Sequence, residues 1–377
     1  MFVLNSTKKI LICSNYAWTV FTFRLPLVRA LKKNGYEVHL LTQEDEYMER
    51  ISNEFDSVHN LFIDRAGINP IVDFVTSLNI AKVLFSVRPD CFLTFTIKPT
   101  IYGGIVARFL RIPTIPNITG LGATFLKNGL LNNLVKFLYH LSLGGAKCVF
   151  FQNNDDKKLF IDEGLVSAKK TKRIPGSGID LKKFVMRDNF MHNPAKCFRF
   201  LLVARMLWDK GIGEYVDAAN SLAAKYPEVD FCLLGFLGVQ NPSAISASQM
   251  DAWVAGGVIK YLGVSNDVRD ELNDADCVVL PSYREGVPRT LLEAAAMGLP
   301  IIASDAVGCR DAVDDGKSGF LCQTKNARDL ADKMERVINM PITGRNSMGR
   351  IGRRKMESDF DQEIVFSMYL QVIKEMA

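Results

Sequence analysis

The 377-residue chain is poor in the patterns that mark metal-binding, disulfide-bonded and membrane-spanning proteins. Its eight cysteines, at 13, 91, 148, 197, 232, 277, 309 and 322, are scattered, with no C-x-x-C pair. The four histidines, at 39, 59, 140 and 192, form no cluster near them. Neither a disulfide framework nor a zinc site is therefore expected. Cys13, Cys148, Cys232 and Cys277 sit in apolar strand-like runs, where cysteine acts as a small hydrophobe, and this fits a reducing cytoplasm. No uncharged apolar run reaches about 18 residues, so no transmembrane helix is expected. The N-terminus begins apolar and turns basic at Lys8 and Lys9, the reverse of a secretory signal, so export is not expected. Internal repeats and low-complexity tracts are also missing.

Acid is scarce in one long stretch. Between 66 and 154 the only carboxylates are Asp73 and Asp90, against eight lysines and arginines. Residues 1–180 carry 22 basic and 15 acidic side chains, residues 181–377 carry 24 and 26, and the net charge is +5. A positive, apolar first half suits an anionic partner: phosphate, nucleic acid or a membrane surface. A chance imbalance of surface charge is the plainer alternative. The 48% hydrophobic and 23% charged residues are ordinary for a globular protein and exclude disorder, collagen and coiled coil. The length suits two domains, each with a substantial core.

Strand and helix patterns alternate in two series. Ile10–Cys13 reads as a buried strand. A helix with Phe23, Leu27, Ala30 and Leu31 on one face follows, stopped by Asn34-Gly35. Val38–Leu41 is the next strand, completing a β-α-β unit. Cys91–Leu93 and Cys148–Phe151 read as later strands of that sheet. The pattern breaks at 174–196, read as a linker. Strands at Phe200–Ala204, Phe231–Leu234, Cys277–Leu280 and Ile301–Ala303 follow, with helices at Gly213–Lys225 and Arg289–Met297. The expected fold is α/β: two doubly wound, Rossmann-like domains, 1–180 and 181–377, facing a ligand cleft at the carboxyl ends of two sheets. The last helix, Glu363–Met376, could belong to either domain.

The most informative segment is 280–300. A strand ends at Leu280, a tight Glu285-Gly286 turn follows, and a helix opens with Pro288 at its first position. Such a helix N-terminus suits phosphate. Glu285 and Glu293, eight positions apart, can hydrogen-bond hydroxyls on two parts of one ligand, with a diphosphate between them. Two solvated glutamates on a capped surface helix are the alternative.

Pro281-Ser282-x-x-Glu285-Gly286-x-Pro288-x-x-x-Leu292-Glu293-Ala294-x-Ala296-x-Gly298-x-Pro300 resembles the E-x(7)-E signature of retaining GT-B glycosyltransferases of family four. The likeness extends over the chain, through Phe23-Arg24, Gly35-Tyr36-Glu37-Val38, Ile174–Asp180, Val203-Ala204-Arg205 and Gly316-x-x-Gly319-Phe320. It implies a metal-independent transferase whose Arg205 and Lys210 neutralise a departing diphosphate, with Glu285 facing the donor sugar and Glu293 the ribose. The Gly286-Val287 backbone, before Pro288, would cradle phosphate. By the resemblance Tyr261–Val264 and Gly235-Phe236 would hold the base; which base is bound is not written in these residues, and the resemblance as a whole implies a UDP-linked donor. Arg205 follows a strand and Lys210 enters a helix, which also puts both cations at the sheet's carboxyl edge. Removing one such cation costs about 3–4 kcal/mol by analogy with oxyanion-hole donors.

Asp274-Ala275-Asp276 is a D-x-D triplet. It precedes a strand, so it lies at the amino edge and no metal is expected there. The acceptor side falls to two loops of the first half, Thr94–Thr100 and Asn117–Gly122, with Lys98 as a cation and Gly120 and Gly122 allowing close backbone approach. Many relatives place a histidine in the first loop, and this chain has none there. The loop Asn15–Thr19 also lacks their Gly-Gly. Residues 125–143 contain Lys127 and no acid. As a helix they put Asn132, Lys136 and His140 on one face and Leu131, Leu134, Val135, Leu138 and Leu141 on a broad apolar arc. This is either a core helix with a polar stripe or a basic amphipathic helix at a membrane interface.

Arg65-Ala66-x-x-Asn69-Pro70 and Thr119-Gly120-Leu121-Gly122 resemble bacterial transferases that extend polyprenyl-diphosphate-linked oligosaccharides for O-antigen, capsule or protein glycosylation. The resemblance implies transfer of a hexose or N-acetylhexosamine to a lipid-diphosphate-linked sugar, by a protein peripheral at the inner face of the cell membrane. Lys127 and Lys136 join the acceptor-side candidates. Rival readings are a transferase with a soluble acceptor, a sugar-nucleotide epimerase, an inactive scaffold, and a nucleic-acid binder. The chain has no basic–aromatic recognition motif for the last.

Overall fold

The computed structural model describes residues 7–64, 67, 69–121, 129–187, 197–239 and 241–376. The chain forms two compact units, Met1–Ser177 with Glu363–Ala377, and Gly178–Gln362.

The first unit contains β1 (Lys9–Tyr16), α1 (Ala17–Phe23), α2 (Leu25–Lys33), β2 (Glu37–Gln43), α3 (Met48–Ile51), β3 (Ser57–Asn60), α4 (Pro70–Val87) and β4 (Cys91–Phe95). It continues with α5 (Gly104–Phe109), β5 (Thr114–Ile118), α6 (Leu130–Leu143), β6 (Val149–Phe151), α7 (Asn154–Asp162) and β7 (Thr171–Arg173). Its parallel sheet runs β3-β2-β1-β4-β5-β6-β7. Both faces are covered, which is why its central strands are unbroken apolar runs. Ile10, Ile12, Leu93 and Phe150 face α1 and α2. Leu11, Cys13 and Phe92 face α4 on the other side.

The helix expected across Phe23–Leu31 is two helices. Pro26 lies in the first turn of α2, and Arg24 between them leaves helical geometry. Proline has no amide to continue a helix but suits the start of one. In α4 the Asn69 side chain accepts from the Ile71 amide and Pro70 opens the helix. Among the described residues α4 is the helix long and apolar enough to cross a membrane by length and composition. Here Ile80, Val83, Leu84 and Val87 are packed against the sheet.

The second unit contains β8 (Phe198–Val203), α8 (Ile212–Ala223), β9 (Val229–Leu234), α9 (Ala247–Ala255), β10 (Ile259–Tyr261), α10 (Arg269–Asp274) and β11 (Cys277–Leu280). Next come α11 (Arg289–Ala296), β12 (Ile301–Ser304), β13 (Gly319–Cys322), α12 (Ala327–Ile338) and α13 (Ile342–Asp359). Its parallel sheet runs β10-β9-β8-β11-β12-β13. The order reverses between β8 and β11, where sheets of this kind bind ligands at their carboxyl ends.

The segment read as a linker is divided where described: Ile174 is buried in the first unit's core, and the chain from Gly178 is built into the second. Ile179 and Phe184 are buried in its core, and the Ile179 amide donates to the Phe360 carbonyl at 2.8 Å. The last helix, α14 (Gln362–Lys374), returns to the first unit. Val365, Phe366, Tyr369, Val372 and Ile373 enter that core. Each such side chain contributes about 1.5–3 kcal/mol by burial. Tyr369 packs on Phe150 and Phe95 and accepts a hydrogen bond from Asn117 at 2.9 Å.

Candidate active site

Lys210 and Glu285 meet at the carboxyl edge of the second sheet, at the β8/β11 reversal. The loop after β8 carries Arg205, whose side chain is exposed, and then a 3-10 turn, Trp208–Lys210. The loop after β11 carries Tyr283–Gly286. The Lys210 ammonium donates to a Glu285 carboxylate oxygen, and both side chains are largely shielded from solvent.

Backbone contacts fix both loops. The Tyr283 amide donates to the Asp209 carbonyl at 2.9 Å and the Ser282 hydroxyl to the same oxygen at 3.2 Å. Gly211, at φ +71°, lies so close that a Cβ there would be 2.2 Å from the Pro281 oxygen. The Glu285 amide donates to the Val307 carbonyl at 2.9 Å. Gly308, at φ +80°, underlies that turn, and a Cβ there would lie 2.3 Å from the Glu285 oxygen. The Tyr283 hydroxyl donates to Glu214 at 2.7 Å, one helical turn after Lys210. Burial raises the phenol's pKa, and the Glu214 carboxylate raises it further. Lys325 lies 4.8 Å from the Tyr283 ring.

Pro288 is the N-cap of α11 rather than its first residue, and no side chain caps that helix. Glu293 lies in its second turn, buried, and receives a hydrogen bond from Arg289 at 2.7 Å. Burial raises the Glu293 pKa, and the Arg289 charge opposes this. Val287 packs against the core beneath. Asp267, bonded to Arg269, is held at about 2.

Gly235, at φ +142°, donates through its amide to the Gly263 carbonyl at 2.7 Å and accepts from the Tyr261 hydroxyl at 2.8 Å. The neighbouring Phe236, Leu262 and Val264 are exposed apolar side chains at the same sheet edge. An aromatic base has apolar surface to cover there. Asp274 and Asp276 lie at the opposite, amino edge. The Asp276 carboxylate accepts from the Arg199 amide at 2.9 Å, and Asp274 is 3.6 Å from the Arg199 guanidinium.

In the first unit the expected acceptor residues divide. Lys98 is a cation at the end of β4, but its ammonium is bound to Asp73 at 2.5 Å and is nearly buried. The Tyr102 hydroxyl binds the other Asp73 oxygen at 2.7 Å. The charge expected on an acceptor is thus neutralised from α4. Lys136 is likewise paired, 2.8 Å from the exposed Glu163. Asn132 is buried, and His140 contacts the Gly164 carbonyl oxygen at 3.0 Å. Of the polar stripe of α6, Asn132 is thus buried, Lys136 is part-buried against Glu163, and His140 stays exposed. Gly120 is at φ +150°, and among the described residues no atom lies within 4 Å of where its Cβ would be. Gly122, Lys127, Arg65 and Ala66 lie outside the described residues. Thr96, at φ +69°, bonds Asn15 at 2.7 Å, joining the loops after β4 and β1.

Glu214, Tyr283 and Gly308 escaped the sequence reading. Glu214 follows Lys210 at i+4 and Tyr283 lies inside the 280–300 segment, so spacing was the available signal. Gly308, a glycine shortly after a strand, was another.

A family described as "Glycosyl transferases group 1" matches residues 189–355, and one described as "Glycosyl transferase 4-like" matches 9–153. An N,N'-diacetylbacillosaminyl-diphospho-undecaprenol alpha-1,3-N-acetylgalactosaminyltransferase of Campylobacter jejuni is 30% identical over 368 residues, covering 94% of this chain and 95% of its own. A UDP-Gal:alpha-D-GlcNAc-diphosphoundecaprenol alpha-1,3-galactosyltransferase of Escherichia coli is 26% identical over 350 residues, covering 88% and 87%. A crystal structure of a glycosyltransferase from Rickettsia africae superposes with a TM-score of 0.80 at 17% identity, covering 98% and 99%.

Proposed function

This chain belongs to the group 1 glycosyltransferases and has their GT-B fold, and on that premise we propose that it moves a hexose or N-acetylhexosamine, with retention, from a UDP-linked donor to a polyprenyl-diphosphate-linked saccharide. The product would enter surface polysaccharide or glycoprotein glycan assembly at the inner face of the cell membrane. The observation that carries this reading is the Lys210–Glu285 pair at the β8/β11 reversal, with Arg205 on the same loop as Lys210. The acceptor class rests on the two relatives named for undecaprenyl-diphosphate-linked substrates.

In this reading Lys210 and Arg205 stabilise the leaving diphosphate as negative charge develops on it. Glu285 accepts from donor-sugar hydroxyls once the diphosphate draws Lys210 away. The uncapped start of α11, with Gly286 and Val287 before it, offers backbone N–H groups to phosphate. Glu293, held by Arg289, binds the ribose, and Gly235 and Val264 flank the base. Two cations and a helix N-terminus supply the neutralisation that a divalent metal supplies elsewhere, so transfer should persist in chelator.

The test is incubation of purified protein with a panel of UDP-sugars and a synthetic polyprenyl-diphosphate-linked monosaccharide, without added metal. A lipid heavier by one sugar, lost in Lys210→Ala and Glu285→Ala, is the expected result. Transfer that survives both substitutions overturns the site. Release of an altered sugar without acceptor would make the protein an epimerase.

A further inference from the structure

The strongest unexplained feature of the first unit is the outward face of α4. A helix packed on a sheet ordinarily turns its apolar stripe inward and its polar face to water. Here Asp73 and Thr76 are buried, while Ile71, Phe74, Leu78 and Phe85 point out. Phe74 and Phe85 are 63% and 66% exposed. Neighbouring elements on the same side of the sheet continue the surface. Phe109, at the end of α5, is 79% exposed, and Leu130, Leu134 and Phe137 of α6 are exposed as well. The core beneath α4 and α5 includes Leu11, Cys13 and Phe92, whereas Tyr139 and Leu143 of α6 pack on Phe151. Contiguous apolar surface of this kind marks an interaction site.

Its charge selects the occupant. Lys82 is exposed on α4 and Arg88 just after it, and Arg108 and Arg111 are exposed on either side of Phe109 and Leu110. The one carboxylate of α4, Asp73, is hidden by Lys98 and Tyr102. From residue 67 to 147 the only other acid is Asp90, which is bound to the Lys9 amide at 2.7 Å. An apolar face fringed by cations, with its one local acid internally neutralised, fits an anionic lipid surface. The helix cannot cross the bilayer in this fold, because Ile80, Val83, Leu84 and Val87 hold its other face on the sheet.

We propose that the outward face of α4, continued by Phe109 and the exposed side chains of α6, seats the first unit in the headgroup layer of an anionic bilayer. This deepens the lipid-linked acceptor reading and rests on it only for the purpose the surface serves. The insertion element is α4, whose one carboxylate is buried, whereas on α6 Lys136 is paired with the exposed Glu163.

The test needs neither donor nor acceptor, so its failure is separable from failure of the proposed activity. The full chain is sedimented with vesicles of equimolar phosphatidylethanolamine and phosphatidylglycerol, or of phosphatidylcholine alone. Each cation near an anionic surface is worth about fivefold in binding, so at least a tenfold preference for the anionic vesicles is expected. The Phe74→Glu/Leu78→Glu/Phe85→Glu variant should lose at least tenfold of that binding, with its melting temperature and UDP binding unchanged. A second variant, Phe85→Trp, should gain fluorescence quenching by brominated lipids beyond that of the wild type. Equal binding by the wild type and the triple variant overturns the proposal, as does no binding to anionic vesicles. A concentration-dependent dimer abolished by the triple variant would also overturn it and give the face to a second copy.

Discussion

At the scale of single residues, Lys210 and Glu285 neutralise each other, so each holds the other in the place the proposed donor site requires. Lys210→Ala or Glu285→Ala should lower kcat by roughly 10²–10³, the cost of removing one preorganised charge-stabilising group. Single-turnover transfer would measure it. Tyr283 acts one step behind them. Its hydroxyl ties the Glu285 loop to Glu214 on the helix that follows Lys210. Tyr283→Phe should cost about 1 kcal/mol of stability and lower kcat, leaving the acceptor KM unchanged. A change confined to acceptor KM would refute the positioning role. Gly308→Ala forces a Cβ against the Glu285 carbonyl in left-handed backbone, so it should destabilise the second unit by about 1–3 kcal/mol and lower kcat as well. Cys309 lies beneath the same loop, and burial together with the nearby Glu285 pushes its thiol up to about 12. Arg205, Lys210, Glu285 and Glu293 could be singled out in the sequence because the E-x(7)-E resemblance marks them, and the structure brings Lys210 and Glu285 together. Lys98 was misleading. Its type and loop announce a cation, while the partner that neutralises it comes from 25 positions away.

Among elements, the buried central strands were legible and the edges were not. β3 is Ser-Val-His-Asn and β7 is Thr-Lys-Arg, and neither has an apolar run to betray it. β5 carries Pro116 in its middle. The β2–β3 edge holds His39 and His59 on either side of the Ser57 hydroxyl, at 2.6 and 2.9 Å. Burial depresses the pKa of both, and for His59 the charge on His39 adds to this. A histidine depressed in the folded state binds fewer protons than it does unfolded, so its contribution to stability is intact above the ordinary value of 6.5 and lost as pH falls below it. The melting temperature should fall between about pH 7 and pH 5, and His39→Gln/His59→Gln should flatten that dependence. For α6 the amphipathic pattern is visible in sequence, but its orientation is not. Lys136 and His140 bond Glu163 and the Gly164 carbonyl at the rim, Asn132 is buried, and Leu130, Leu134 and Phe137 are left outside.

The whole molecule is two cores joined by a chain that visits one of them twice. Gly178–Gln362 carries its own sheet and all the residues assigned to the donor. Expressed alone, it should fold and bind UDP, measured by calorimetry, whereas Lys210→Ala in the same fragment should weaken that binding. Residues 1–177 should not fold alone. Removing α14 strips five buried side chains from their core, on the order of 10 kcal/mol as an upper limit, comparable with the stability of a whole domain. Full-length protein truncated after Asp361 should therefore lose the first unit's melting transition and keep the second's. The sequence by itself determined the α/β class, the alternation that makes parallel sheets, and the placing of Lys210 and Glu285 on loops after strands. These follow from local periodicity and from which side chains carry charge. Only the tertiary structure decided that the last helix completes the first core, that Asp73 neutralises Lys98, and that α4 turns Phe74 and Phe85 outward. Each of those outcomes depends on which surfaces distant segments cover, and packing sets that, not neighbouring residues.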